Sequence, residues 1–351
     1  MMDKSLEKLY NRMYRRSGSR ATALNYVKCV KLFTGFLGYE SPDQVLEAGI
    51  DFNEAINNWI DYLLFNRGVA RSTINIYVAA VKKWLKVNGV KLEGEIELPT
   101  SWIVERDRIP TRSELRKLYS VGSLTDRVIL TLAVSSGLRA STIVNLRIGD
   151  IDLDNEIPVI KVRPEIAKDR PRRGYITFCS PECREHILQY LEYKGNFDPD
   201  NYLLEWNGRP YTPHTLSVKW DRLLRKAGLT DKSRKWFKLR FHTLRKYFKT
   251  YATLSGIPSD VVEAFMGHVS GIRHIYFYTG VESMENPKLI EMLRNEYRKA
   301  IPYLTINVTE DQLKAIEEKI EVLAERQKTL EEKLRETLNM IDRIIDHTRR
   351  L

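Results

Sequence analysis

Cysteine is scarce: Cys29, Cys179 and Cys183 are the only three in 351 residues, too few for a disulfide framework. Cys179, Cys183 and His186 do fall close together in CSPECREH. A closed zinc site needs a fourth ligand, however, and a second tight Cys pair to supply it is missing, so these read as incidental thiols. Also missing is any apolar run of the roughly 18 to 20 residues that cross a bilayer. The opening MMDKSLEKLYNRMYRR has no apolar block of the kind that marks a secretory signal. A soluble, cytoplasmic protein with no membrane partner is the expectation. Glutamine occurs only four times, against abundant Lys, Arg and Glu, a bias associated with hot environments. Acids are outnumbered by bases, 46 to 57, for a net charge of +11, the balance of a protein that meets a polyanion.

Hydrophobic residues make up 43% of the chain, enough for globular cores, and the length favours two domains plus appendages. In the first hundred residues SRATALNYVKCVKLFTGFLG and ARSTINIYVAAVKKWLKVNG share a layout. Each has a Ser/Thr cap region, apolar residues at helical spacing (Ile74, Tyr77, Val78, Val81, Trp84 and Leu85 in the second), lysines on the other face and a closing glycine. A helical domain over 1–95 is expected, followed by a turn-rich linker over 96–110. Thr111 and Glu114 then have the spacing of a capping box that opens a new helix. From 111 to 305 the pattern is mixed α/β. Most of it is helical, but EIPVIKVRPEIAKDRPRRGYITF reads as a hairpin with a long basic tip.

Beyond 305 the composition changes again. With Leu313 as position a of a heptad, nine of the twelve a and d positions through Leu351 are Leu or Ile, the exceptions being Gln327, Thr337 and Thr348. That is a coiled-coil pattern for 306–351.

Two features point to chemistry. Arg139 follows the small, apolar segment Ser135 to Leu138, and a guanidinium in such surroundings cannot shed its charge and needs an anion or several acceptors. Taken alone, an ion pair with Asp150 or Asp152 would serve. In KSRKWFKLRFHTLRKYFKT, eight Lys or Arg fall between Lys232 and Lys249 with no acid among them, interleaved with aromatics. This predicts a helix anchored by its rings that offers its cations to phosphate. His242 and Arg245, three apart, share a face of that helix. His268 follows Arg245 by 23 residues, and Tyr276 and Tyr278 follow His268.

Arg139 in GLRASTIVNL, the box His242-Thr-Leu-Arg245, the step Met266-Gly267-His268 and a following tyrosine, in this order, resemble the active-site series of the tyrosine recombinases, the phage-integrase and Xer family. The resemblance runs from about residue 15 to about residue 300. It implies a mainly α fold: a helical N-terminal core-binding domain, a mixed α/β catalytic domain with a small β-hairpin sheet, and here a terminal coiled-coil helix. It implies a site-specific DNA recombinase that cleaves and rejoins strands through a 3′-phosphotyrosyl intermediate, with no cofactor, metal or ATP. The partners it implies are double-stranded DNA bearing two recombination sites and further copies of the chain, as a tetramer on DNA. A helix such as NPKLIEMLRNEYRKAIPYL would be available to pass to a neighbouring subunit. The resemblance implies an integrase of a mobile element, and the glutamine bias adds the expectation of a thermophilic source.

The resemblance also implies a lysine on the hairpin. Lys161 and Lys168 are both available, and the family's position at the hairpin tip is that of Lys168. For the nucleophile, family spacing falls between Tyr276 and Tyr278. The context Tyr278-Thr279-Gly280-Val281 resembles the family's Tyr-Thr-His-Val and favours Tyr278. The implied catalytic set is therefore Arg139, Lys168, His242, Arg245, His268 and Tyr278. One departure is Thr142, where many relatives carry a glutamate. A type IB topoisomerase shares the catalytic set, and a DNA-binding architectural protein shares the charge; the helical N-terminal domain argues against the first and the intact catalytic series against the second.

Overall fold

The computed structural model describes residues 3–100, 107–167, 174–230, 239–268 and 285–307, and of the C-terminal segment only residues 329, 332 and 333. The chain divides into two compact units, Met1–Glu105 and Arg106–Leu351.

The N-terminal unit is helical: α1 (Lys4–Ser17), α2 (Arg20–Phe36), α3 (Pro42–Glu47), α4 (Phe52–Asp61), extended by one π-helical turn to Asn66, and α5 (Arg71–Val87). The helical spacing in α5 does what it predicts. Ile74, Val78, Val81, Trp84 and Leu85 are buried, while Tyr77 is partly covered by stacking on Trp59 at 6.0 Å between ring centroids. Leu6 and Leu9 of α1, Phe33 of α2 and Trp59 of α4 complete the core. Ser19 caps α2 through the Thr22 amide, whereas α5 starts at Ala70 without a side-chain cap.

In the second unit, the Thr111–Glu114 capping box forms in both directions and opens α6 (Arg112–Val121). The helix α7 (Leu124–Ser136) has every residue from Val128 to Ser136 buried, which makes it the central helix, covered on all sides. After α8 (Ala140–Ile143) and a 3₁₀ turn, β1 (Ile151–Asp152), β2 (Val159–Val162) and β3 (Tyr175–Phe178) form an antiparallel sheet in the order β1-β2-β3, with Ile160 opposite Thr177. The hairpin read from the sequence is thus present, and Lys161 lies on its first strand opposite Ile176. Next come α9 (Pro181–Lys194), a small hairpin of β4 (Glu205–Trp206) and β5 (Arg209–Pro210), α10 (Pro213–Lys226), α11 (Thr243–Leu254), α12 (Ser259–Phe265), α13 (Pro287–Arg298) and α14 (Ile301–Leu304).

Two expectations need adjustment, and the structure places a third segment. The basic aromatic stretch is not helical throughout its described part: α11 begins only at Thr243, so His242 is its N-cap and Arg245 lies in its first turn. Asp150 is held by Arg163, through Nε at 2.7 Å and Nη2 at 3.1 Å. Helix α13, offered above as a segment for a neighbour, buries Leu293 and Tyr297 in its own unit. The coiled-coil heptads fall outside the described residues except for positions 329, 332 and 333.

Candidate functional site

A helix ends with carbonyls that have no intrahelical partner and with the negative pole of its dipole. At the end of α7 three separate segments answer that need. Tyr297 Oη of α13 donates to the Ser135 carbonyl at 2.6 Å, and Thr177 Oγ1 of β3 donates to the Ser136 carbonyl at 3.0 Å. Arg245 Nη1 of α11 donates to the Gly137 carbonyl. Gly137 turns the chain in the left-handed region, φ +64°, and a Cβ there would lie 2.3 Å from Cδ1 of Phe248. The Arg245 guanidinium is therefore fastened to the peptide two residues before Arg139.

The other end of that guanidinium meets a second turn. Helix α12 gives way at Met266 to Gly267, at φ +67°, where a Cβ would lie 2.4 Å from Cε1 of Tyr175 on β3. Arg245 Nη2 donates to the Met266 carbonyl at 2.7 Å and to His268 Nε2 at 2.8 Å. Because a guanidinium can only donate, Nε2 of His268 is the acceptor. Its proton sits on Nδ1, which donates to the Glu263 carboxylate. Lys249 also pairs with Glu263. Burial opposes charge on Glu263, but the hydrogen bonds from Lys249 and His268 prevail and hold its carboxyl below the ordinary range.

Around His242 a similar arrangement uses a carboxylate from far upstream. Asp107 accepts from Arg240 Nε at 2.8 Å and Nη2 at 2.7 Å, stands 2.8 Å from His242 Nε2 and lies 3.5 Å from Lys246 Nζ. The carboxylate side chain is 12% exposed, while those of Arg240, His242 and Lys246 are about half exposed, so the acid lies beneath its three partners. Burial again works against Asp107's charge and Arg240 overcomes it, so the carboxyl stays below its ordinary value. His242 is pushed below the usual imidazole range, by partial burial first and by Arg240 and Lys246 as well, against the pull of Asp107. At neutral pH its contact with Asp107 is a neutral imidazole donating Nε2–H.

The segments bearing Arg139, His242, Arg245 and His268 thus converge on one end of α7, whereas Lys168, Tyr276 and Tyr278 lie outside the described residues. Thr142 is fully buried, its hydroxyl 3.5 Å from the Ile166 carbonyl. His186 commits both ring nitrogens, one to Tyr119 Oη and one to the Glu182 carbonyl, each at 2.6 Å, which removes it from any zinc set with Cys179 and Cys183.

Sequence reasoning missed Asp107 and Glu263. The stretch 232–249 contains no acid, and tertiary structure brings one from each side. For Glu263 a signal existed, since it precedes His268 by five residues on a helix that ends between them. Asp107 carries none, because its partners are more than 130 residues away. In the N-terminal unit, a cavity of about 470 Å³ is lined by Lys8, Arg12 and Arg15 of α1 and Lys83 and Lys86 of α5, with no carboxylate in its lining.

Comparison with known proteins shows the family of the chain. The phage integrase family profile matches residues 111–284. The tyrosine recombinase XerA of Thermococcus kodakarensis is 30% identical over 268 residues, spanning 72% of this chain and 88% of the relative. The tyrosine recombinase XerC of Staphylococcus carnosus is 27% identical over 279 residues, spanning 75% of this chain and 87% of the relative. Among solved structures, the XerH site-specific recombinase bound to palindromic difH substrate, in a post-cleavage complex, shares the fold with a TM-score of 0.55 at 16% identity, over 84% of each chain. With the family profile over residues 111–284 and a 30% identical tyrosine recombinase matched over 72% of this chain, the chain belongs to the tyrosine recombinase (phage integrase) family and is a site-specific strand-transfer enzyme.

Proposed function

We propose that the protein recombines two sites on double-stranded DNA by cleaving and rejoining strands through a 3′-phosphotyrosyl intermediate, without metal or ATP. The observation that carries this reading is the double fastening of Arg245, to the Gly137 carbonyl beside Arg139 and to Met266 and His268. Attack on a phosphodiester concentrates charge on the non-bridging oxygens, and two preorganised guanidiniums, Arg139 and Arg245, stabilise it by paired hydrogen bonds. The Tyr278 oxygen bonds to phosphorus as the bond to the 5′ oxygen breaks, and Lys168 protonates the departing 5′ oxygen. His242 and His268 orient the phosphate or move protons. One phosphoester replaces another, so a 5′ hydroxyl from the second site can reverse the step and seal the exchanged strand with no energy source.

The DNA-bound state of XerH supports double-stranded DNA as the partner. The cationic cavity between α1 and α5 suits the phosphate backbone, which takes cations without regard to sequence. We place recombination in a tetramer, with the C-terminal heptads joining subunits.

The test is a nicked duplex carrying the cognate site, incubated with protein in EDTA without nucleotide. The expected product is protein linked to a 3′ phosphate. Cleavage that stops on chelation and returns with magnesium would refute the reading.

A further inference from the structure

The two histidines of the site are held in opposite tautomers by two different carboxylates. His268 gives its Nδ1 proton to Glu263 and accepts at Nε2 from Arg245. His242 turns the other nitrogen to a carboxylate: its Nε2 stands 2.8 Å from Asp107 Oδ2. A carboxylate whose neighbours include the Arg240 guanidinium stays ionised and can only accept. The His242 proton is therefore on Nε2, and the lone pair is on Nδ1. His242 caps α11 by position only, with no side-chain bond to the helix amides. Among the described residues Nδ1 has no hydrogen-bond partner.

We propose that Asp107 is a positioning residue for the strand-cleavage reaction: it fixes His242 in the Nε2–H tautomer, so that Nδ1 is presented as the proton acceptor of the site. The inference rests on the recombinase chemistry proposed above and adds to it a residue outside the Arg-His-Arg-His series. In the cleavage step the nucleophilic hydroxyl then loses its proton to His242 Nδ1 as its oxygen bonds to phosphorus, and Lys168 supplies a different proton to the leaving 5′ oxygen.

The arrangement resembles a mechanical clamp. Arg240 uses Nε and Nη2 on the same carboxylate, so the carboxylate cannot rotate without breaking a paired hydrogen bond. Lys246, one turn along α11 from His242, closes the third side at 3.5 Å. Asp107 begins the described part of the second unit, directly before the helix-opening segment Arg108 to Thr111, where Arg108 pairs with Glu114 at 2.6 Å. Asp107 is thus tied at its backbone to the start of α6 and at its side chain to the start of α11.

Asp107→Asn tests the assignment with little change in shape. Arg240 can only donate, so the amide oxygen turns to it and the amide nitrogen faces His242. That nitrogen also only donates, which drives the His242 proton to Nδ1 and removes the acceptor. The same logic makes an Asp-to-Asn change costly in hydrolases that rely on an Asp–His pair.

The full-length protein, labelled with ¹⁵N-histidine, reports tautomers through its imidazole nitrogen shifts. His242 is assigned by its absence in His242→Gln, and the other five histidines report that the fold is kept. Wild type should show Nε2–H at His242 and Asp107→Asn should show Nδ1–H. Cleavage of the nicked duplex should fall about 100-fold or more, with unchanged DNA affinity, and Asp107→Glu should recover part of the rate. The acidic limb of the cleavage profile should move to lower pH in Asp107→Asn, because the carboxylate that favours imidazolium is lost while Arg240 and Lys246 remain.

A wild-type His242 protonated on Nδ1, an unchanged tautomer in Asp107→Asn, or wild-type cleavage by that variant would each overturn the proposal. Absence of cleavage by the wild type would overturn the recombinase chemistry instead, and the tautomer spectra would still decide whether Asp107 sets His242.

Discussion

Replacing Gly137 by alanine probes the turn that joins the end of α7 to Arg139. Two costs follow from the structure. The first is the left-handed backbone at φ +64°, which disfavours an L side chain by roughly 1–2 kcal/mol. The second is collision: the new Cβ would lie 2.3 Å from Cδ1 of Phe248, which is fully buried and has nowhere to go. Forced overpacking of this kind costs about 1–3 kcal/mol, for a combined loss of about 2–5 kcal/mol. Gly195→Ala separates the two costs, because that residue has φ +61° with nothing within 4 Å of its Cβ position and should lose only the backbone part. Urea denaturation of both variants beside wild type measures the difference. The collision also displaces the Gly137 carbonyl that holds Arg245, and a shift of about 1 Å in a catalytic group is enough to lower rates on the order of 100-fold. Equal destabilisation of the two variants, or wild-type cleavage by Gly137→Ala, would refute the reasoning.

Other predictions follow from the same residues. Lys168→Ala should slow cleavage strongly on a normal phosphodiester but far less when sulfur replaces the bridging 5′ oxygen, since a thiolate leaves without a proton; Lys161→Ala should affect both substrates alike, and equal defects for Lys168→Ala would remove that residue from the role. Glu263 is held below its ordinary pKa, so its contribution to stability is present above the unfolded value of about 4.3 and fades as pH falls through the lower folded value. Glu263→Gln should therefore be less stable than wild type at pH 7, with the gap closing as pH falls below the ordinary carboxylate range; a gap that does not depend on pH would contradict the ion-pair account. A chain truncated before Thr309 should still nick DNA but lose self-association in sedimentation and pair two sites poorly, and identical sedimentation of the two forms would return the tail to its own domain.

Local chemistry in the sequence carried much of the fold. The apolar spacing of α5, the Thr111–Glu114 box and the apolar runs around Ile160 and Ile176 each act over a few residues, and the helix, the cap and the paired strands all appear in the structure, although the strands are buried on both faces and not alternately. The start of α11 was harder to read. Its aromatic and basic residues continue upstream of Thr243, so periodicity alone could not mark His242 as the N-cap. Neutralising acids were invisible for a related reason: a count along 232–249 finds none, while folding supplies Asp107 and Glu263 across large and small sequence separations. Tertiary context also decided the fate of the cations and thiols. Asp150, a candidate partner for Arg139, is held by Arg163, and His186 is turned from Cys183 to Tyr119.

The most direct test of the account is recovery of the covalent adduct. A nicked duplex that loses its short 5′ fragment on cleavage traps the protein on DNA, and protease digestion followed by mass spectrometry identifies the linked peptide. The account predicts a 3′-phosphotyrosyl bond at Tyr278, with Tyr278→Phe binding DNA but forming no adduct and Tyr276→Phe forming it normally. An adduct mapped to Tyr276 would move the nucleophile, and DNA binding without any adduct in EDTA would contradict the central claim.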